Sequence, residues 1–411
     1  MKHALLAAIA FGAFAFAFPA GAETNPVVDL MEQSVRTAPS VLAAEADMDR
    51  AGASAARLRA GPYEFEINAT GGQRKIDDPL APESRYTEWA GGVSRTVRLP
   101  GKQRLDRDLA RIETDLADAA LGQALYHERL AFADLWSAWL RADLLTETSS
   151  EQAAEATRLA ELEQITVDKG AGRQIRADQL TAEASLMRLQ AEQDRLTAEA
   201  ARAALMARYP DAVLPARPLM LNLTDADVIQ VLDVAADQSP TYRTAQLVSE
   251  QARLRARRAR ADETPDPTFG MEFTNEFGGG ETSLMARVTI PIGGSARKAS
   301  TRELASSATV AELNAIGTER QLQQLIETSK QSALLSLTLS EEAARAMEAS
   351  TLVLGRIQQG YTLGEITISD LITSRRSHLA TQRTAAEQRA ALDAALLKLI
   401  ALTGGMPETA S

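Results

Sequence analysis

Few residues in this chain could do chemistry. It has 411 residues, no cysteine and three histidines. His3 falls in an N-terminal leader, which leaves His127 and His378, far apart in sequence. A dedicated transition-metal site needs clustered thiolate or imidazole ligands, and two distant histidines do not supply one. His127 precedes Trp136 and Trp139 on one helix and reads as packing. There is no G-x-x-x-x-G-K-[ST] phosphate cradle and no G-x-S-x-G nucleophile turn. Gly278-Gly279-Gly280 reads as a tight turn. An enzymatic role finds no support, no cofactor is implied, and any energy must come from a partner.

What remains is charge at two turns. "VDKGAGRQIRADQL" from Val167 and "IQQGYTLGEITISDL" from Ile357 are glycine-punctuated turns between helices, carrying Asp178 and Asp370. An aspartate at a helix start is favoured by the helix dipole alone. Copies of the same aspartates gathered at a constriction would instead form a negative ring that attracts cations and holds off anions. Arg173, Arg176, Arg375 and Arg376 lie close by, as candidate partners or as exposed surface.

The elements that position these turns come twice. "TAPSVLAAEADMDRAGASAARLRAGPYEFEINATGG" from Thr37 matches "QSPTYRTAQLVSEQARLRARRARADETPDPTFGMEFTN" from Gln238. "GGVSRTVRLPGKQR" from Gly91 matches "LMARVTIPIGGSAR" from Leu284, and the two glycine turns are the third pair. The matches keep their order at an offset of roughly 190 to 200 residues, the mark of a duplication. The expected organisation is a signal peptide at 1–22, a first repeat at 23–209 with strands at about 63–73 and 88–99, and a proline-rich linker at 210–225. A second repeat follows at 226–405 with strands at about 267–277 and 281–290, then a tail at 406–411. Helices are expected at 27–60, 102–168 and 174–209, and again at 226–261, 297–357 and 366–403. The first long helix has about 67 residues, or ~100 Å, and its two shorter companions of about 34 and about 36 residues sum to nearly the same length. Two short helices stacked end to end therefore match one long helix, as in a coiled coil with a break in one strand. Leu105, Leu109, Ile112 and Leu116 step by 4, 3 and 4 along such a seam.

The first 22 residues carry Lys2, an apolar run from Ala4 to Phe18 and an Ala20-Gly21-Ala22 cleavage box, so export is expected. No later stretch reaches the ~18 apolar residues of a spanning helix. The formal net charge is −11, with 44 basic against 55 acidic residues, which argues against a nucleic-acid partner. Aromatics make up only 4% of an alanine-rich chain, which suits slender helices with thin seams better than one bulky core.

Four segments alternate with period two. Tyr63, Phe65 and Ile67 face one side; so do Val93, Val97 and Leu99, then Phe269, Met271 and Phe273, then Leu284, Ala286, Val288 and Ile290. Arg95 falls on the apolar face of its strand. A half-buried soluble sheet shows the same alternation. The leader and the want of a bulky core favour a membrane barrel, with apolar residues toward lipid and polar ones toward a lumen. The smallest single-chain membrane barrels use eight strands, and an open edge cannot face lipid. Four spanning strands would force oligomerisation, and a trimer would supply twelve. The 74–87 stretch and the Gly278–Gly280 turn would be the outer loops.

On the duplicated layout, the junctions "RLPGKQR" and "IPIGGSAR" and the turn "GYTLGEITISDL", the chain resembles the TolC family of outer-membrane efflux proteins over essentially all of 23–405. The resemblance implies a mainly α fold with membrane β. A duplicated long-helix coiled-coil tunnel would stand below four strands per chain that contribute to a trimeric 12-stranded β-barrel. It implies a homotrimer in the outer membrane lipid of a Gram-negative bacterium, with a periplasmic helical extension. Docking onto an inner-membrane pump, of the proton-driven RND type, would be direct or through a periplasmic adaptor (membrane fusion) protein. The junctions are most similar to the CzcC-like branch, which serves metal-cation efflux; drug efflux and type I protein secretion are the family's other uses. The resemblance places Tyr361 on a gate tyrosine and Asp178 and Asp370 on ring aspartates, with Arg173, Arg176, Glu365, Arg375 and Arg376 as gate or adaptor contacts. Ile366 stands where the family pattern has a gate arginine, and Thr373 where it has a second ring aspartate. The competing reading is a soluble periplasmic coiled-coil adaptor or scaffold.

Overall fold

The structure, a computed structural model, describes residues 25–76, 84–223, 225–232 and 239–403. The leader at 1–22, the middle of the 74–87 loop and the tail at 406–411 lie outside the described residues. In chain order the elements are α1 (Pro26–Arg36), α2 (Pro39–Ala60), β1 (Phe65–Ile76), β2 (Ser84–Thr96), α3 (Pro100–Asp168), α4 (Gln174–Arg208), α5 (Asp225–Leu232), α6 (Pro240–Asp262), β3 (Thr268–Glu276), β4 (Glu281–Thr289), α7 (Ser295–Thr362) and α8 (Ile368–Thr403). The succession helix, helix, strand, strand, helix, helix occurs twice.

The prolines decide where helices start. The helix expected at 27–60 is two helices, because Pro39 drives Ala38 to extended backbone (φ −66°, ψ 136°) and opens α2 as its first residue. The helix expected at 226–261 likewise restarts at Pro240, where the Ser239 hydroxyl accepts the Thr241 N–H at 3.3 Å. Pro100 opens α3 two residues earlier than expected, and α7 runs on to Thr362 rather than 357.

α3 has 69 residues and α7 has 68, each roughly 100 Å long. α3 packs against α2 and α4 and also against α6 and α8, while α7 packs against α6 and α8. The helical part is thus a wall in which stacked short helices alternate with long ones. Along most of the wall the seams are alanine-rich: Ala110, Ala117, Ala119, Ala153, Ala156 and Ala160 of α3 are all buried. Small side chains let helices approach closely, so little bulk is needed.

Large side chains gather beside mid-α3, near where the start of α2 and the end of α4 meet at Glu128. Trp136, Phe132, Trp139 and Tyr126 of α3 pack there with Met31 and Val35 of α1, Leu205, Tyr209, Leu221 and the end of α8 from Leu396 to Leu402. Phe132 and Trp136 stack with centroids 5.7 Å apart, and the Trp136 indole N–H donates to the Leu219 carbonyl at 3.2 Å. Buried Glu128 closes this core. Burial works to raise its carboxyl, but Ser40 at 2.6 Å, Tyr209 at 2.9 Å and Arg208 at 3.0 Å outweigh that and hold it below the usual carboxylate range.

The four strands form one antiparallel sheet in the order β1-β2-β3-β4. The register lines up three rows on one face: Phe65, Arg95, Phe269, Val288; Ile67, Val93, Met271, Ala286; Ala69, Gly91, Phe273, Leu284. Arg95, the exception to the apolar pattern, lays its guanidinium over the Phe65 ring, 4.6 Å from the centroid. Both strands of the β1–β2 hairpin lie closer to its loop than expected, at 65–76 and 84–96 instead of 63–73 and 88–99. Both inner ends are drawn off by polar partners: the Tyr63 hydroxyl donates to Asp266 at 2.8 Å, and Arg98 reaches back to α2.

Trp136→Ala removes the largest side chain of the mid-α3 core. It should cost about 3–5 kcal/mol, read as an earlier loss of helical circular dichroism in denaturant; a cost below ~1 kcal/mol would show that this core does not hold the wall.

Candidate functional site

The two glycine turns sit together at the end of the wall furthest from the sheet. Gly170 (φ 73°) and Gly364 (φ 81°) supply the left-handed residue that each turn needs. Ala156 and Ala160 of α3, Leu180 and Ala184 of α4, and Ile368 and Leu371 of α8 form a small buried cluster, with Ile357 and Tyr361 of α7 against it. Ile366 folds back over Gly360, where a side chain on residue 360 would find no room.

The structure sorts the candidate residues into three groups. Tyr361 is half-buried and bridges the two halves of the chain, its hydroxyl donating to Glu163 Oε2 of α3 at 3.1 Å. Burial raises its pKa, the Glu163 carboxylate adds to that, and Arg176 works the other way. Arg375 and Arg376 are spent inside the chain. Arg375 pairs with Glu155 of α3 at 3.0 Å. Arg376 grips buried Glu183 of α4 with two nitrogens, Nε at 2.9 Å, and Arg383 continues the series to Asp194 at 2.6 Å. Asp178, Asp370, Arg173 and Glu365 are exposed. Asp178 accepts from Gln174 at 2.9 Å within α4. Asp370 accepts the Thr367 hydroxyl at 2.6 Å while its own N–H donates back to Thr367 Oγ1 at 3.2 Å, a reciprocal helix cap. Within one chain the two aspartates serve their own helix starts.

A second constellation escaped the sequence reading. Where the sheet meets the helices, Lys102 is buried with its ammonium 3.0 Å from both Asp262 and Asp266. Asp266 also accepts the Leu99 N–H at 3.1 Å and the Tyr63 hydroxyl. Asp106, equally buried, receives Arg98 at 2.7 Å and Arg258 at 2.6 Å. Arg98 and Arg297 cap the ends of α2 and α6 by donating to the carbonyls of Leu58 (2.9 Å) and Asp262 (2.7 Å). The signal was present: Arg98, Lys102, Asp106 and Arg258, Asp262, Asp266 each step by four, so each triple occupies one helical face or its continuation. On the polar face of the sheet, Arg74 joins Glu88 (2.9 Å) and Glu276 (3.2 Å), and Arg287 meets Glu272 at 3.3 Å.

Burial pushes the Asp266 carboxyl up, but Leu99, Lys102 and Tyr63 together hold it below its ordinary value. A carboxylate depressed in the folded state contributes stability above its unfolded pKa of about 3.9, and that contribution is lost as pH falls through the lower folded value. Unfolding followed by circular dichroism should show a stability loss beginning below about pH 4. Lys102→Met should cost about 3–5 kcal/mol at neutral pH by stranding Asp266, and the pair Lys102→Met/Asp266→Leu should recover most of it. Equal costs for the single and the double variant would show that the pair is not coupled.

The sequence matches no protein-family model and no curated protein sequence. Solved structures do match. The outer membrane protein VceC from Vibrio cholerae superposes with a TM-score of 0.74 at 18% identity, over 93% of this chain and 97% of that one. CusC, solved in connection with folding and transmembrane channel formation, gives 0.71 at 14%, over 93% of both chains. The CmeC outer membrane channel of Campylobacter jejuni gives 0.64 at 14%, over 100% of this chain and 96% of that one. At such identities the likeness concerns shape, and along nearly its whole length this chain has the fold of bacterial outer-membrane channels: long paired helices carrying a four-stranded antiparallel sheet.

Proposed function

We propose that the chain is the exit duct of a tripartite efflux system, a homotrimer whose strands close a twelve-stranded barrel in the outer membrane and whose helices line a tunnel in the periplasm. The observation that carries this reading is the sheet. One face presents Phe65, Ile67, Val93, Met271, Leu284 and Val288 to the outside, each more than 40% exposed, and neither β1 nor β4 has a second neighbour among the described residues. An apolar face with two open edges is stable in hydrocarbon only if other copies complete the hydrogen bonding. The helical wall ends in the same way. Leu313, Leu335 and Leu352 on α7 and Leu186 and Leu189 on α4 are all more than half exposed. Two unlike edges at opposite ends of one chain suit head-to-tail contacts that close into a ring. A water-soluble scaffold would leave the sheet's apolar face against water.

Within this reading the chain divides as a signal peptide, two repeats at 23–209 and 226–405 and a linker at 210–225. Its partners are a periplasmic adaptor and an inner-membrane pump of the RND type. Tyr361, held to Glu163, is the gate residue, and the exposed Asp178 and Asp370 form the cation-attracting rings once three tips converge. Metal cations are the favoured cargo on the similarity of the two strand-to-helix junctions to metal-efflux channels. CusC and CmeC are described as channels, which supports a passive pore over an enzyme.

In planar bilayers the purified protein should give discrete, cation-preferring currents, and Asp178→Asn/Asp370→Asn should lower the cation preference several-fold with the trimer intact by size in detergent. A monomer that stays soluble without detergent and conducts nothing would sink the duct. A trimeric channel whose selectivity ignores both aspartates would remove the rings alone. Tyr361→Phe should raise the open fraction by removing the tie to Glu163.

A further inference from the structure

The chain is acidic overall, yet the helix ends nearest the sheet are basic. The last eleven residues of α2 and α6 and the first eleven of α3 and α7 together hold fourteen Lys or Arg against four Asp or Glu, while the whole chain has 44 against 55. Two of the acids, Asp106 and Asp262, are already neutralised by Arg98, Lys102 and Arg258. Arg57, Arg59, Arg104, Arg255, Arg257 and Arg260 are exposed and make no ion pair among the described residues. Toward the far end of the wall Arg376 and Arg383 are matched to carboxylates on the facing helix, while Arg158, Arg173 and Arg356 stand exposed singly rather than in a cluster.

Clustered guanidiniums raise the local positive potential, and an anion that bridges them is attracted by it. The location identifies the anion. Eleven helical residues span ~16 Å, so the collar lies directly below the strands, in the headgroup layer that borders the hydrocarbon. It runs over four helices from both halves of the chain rather than forming one patch, as suits a continuous sheet of ligand better than a single docked protein. All but two of the fourteen cations are arginine, whose planar fork binds phosphate oxygens in pairs. We propose that this arginine collar binds the phosphates of anionic phospholipid headgroups in the leaflet facing the helices, fixing the depth of the barrel in the membrane. The proposal rests on the reading of the strands as membrane-spanning.

The full-length protein is reconstituted into vesicles of phosphatidylcholine mixed with phosphatidylglycerol. Flotation first tests insertion, and native mass spectrometry then counts the lipids retained. Wild type should float and retain phosphatidylglycerol in preference to phosphatidylcholine, less so as salt is raised. Arg255→Gln/Arg257→Gln/Arg260→Gln should float and stay trimeric, with that preference reduced about tenfold or more. The control Arg188→Gln/Arg345→Gln, in the distal parts of α4 and α7, should behave as wild type. Failure of wild type to float removes the duct reading and the collar with it. Flotation without lipid preference, or a preference unchanged in the triple variant, overturns the collar alone and leaves the duct standing.

Discussion

A strand at the edge of a sheet carries a row of backbone donors and acceptors with no partner, and this chain has two such edges on a sheet of only four strands. Most of the architecture answers that constraint. Arranging the same two-strand, four-helix order twice produces one continuous sheet, since β2 and β3 pair across the halves. It also produces a helical wall with α4 at one side and α7 at the other. On the proposed reading the chain is a segment of a ring, incomplete in both its layers at corresponding places.

The join between the layers is where that segment is made rigid. Lys102, Asp106, Arg258, Asp262 and Asp266 interlock residues from both halves at the point where slender helices take over from the sheet. A buried ion group of this kind is weak as a source of net stability, but it is intolerant of displacement because any shift strands a charge. The tip is held more loosely, by alanines, a few leucines and separate ion pairs that each link α8 to α3 or α4. Under the duct reading the tip, with fewer interlocked charges than the join, is the end that would open.

Much of this was legible in the sequence because it is written in local periodicities. Alternation found the four strands, glycine and proline punctuation found the turns, and length matching found the stacked helices. The break at Ala38 was missed because a helical pattern on both sides hid the effect of Pro39 on its neighbour. Resemblance singled out Tyr361, but its partner Glu163 lies 198 residues away, and no local pattern announces such a pair. The junction network steps by four in the sequence, but charges at that spacing read as a solvated helix face until the fold buries them. Arg375 and Arg376 looked free in the sequence and are matched to glutamates on other helices in the structure. A sequence shows which charges exist, and only the tertiary contacts show which are left over.

The alanine seams along α3 bear on how such a chain changes over evolutionary time. A seam that asks only for a small side chain accepts many substitutions singly and in combination, so residues can turn over almost completely while helix spacing and strand register stay put. Shape then outlasts spelling, which is how a superposition at a TM-score of 0.74 coexists with 18% identity. The bulky centre around Trp136 and the interlocked charges at Lys102 are the places where drift should be slowest. Likeness of this type lies in element order and in proline and glycine punctuation, and a superposition of coordinates registers it more readily than residue identity does.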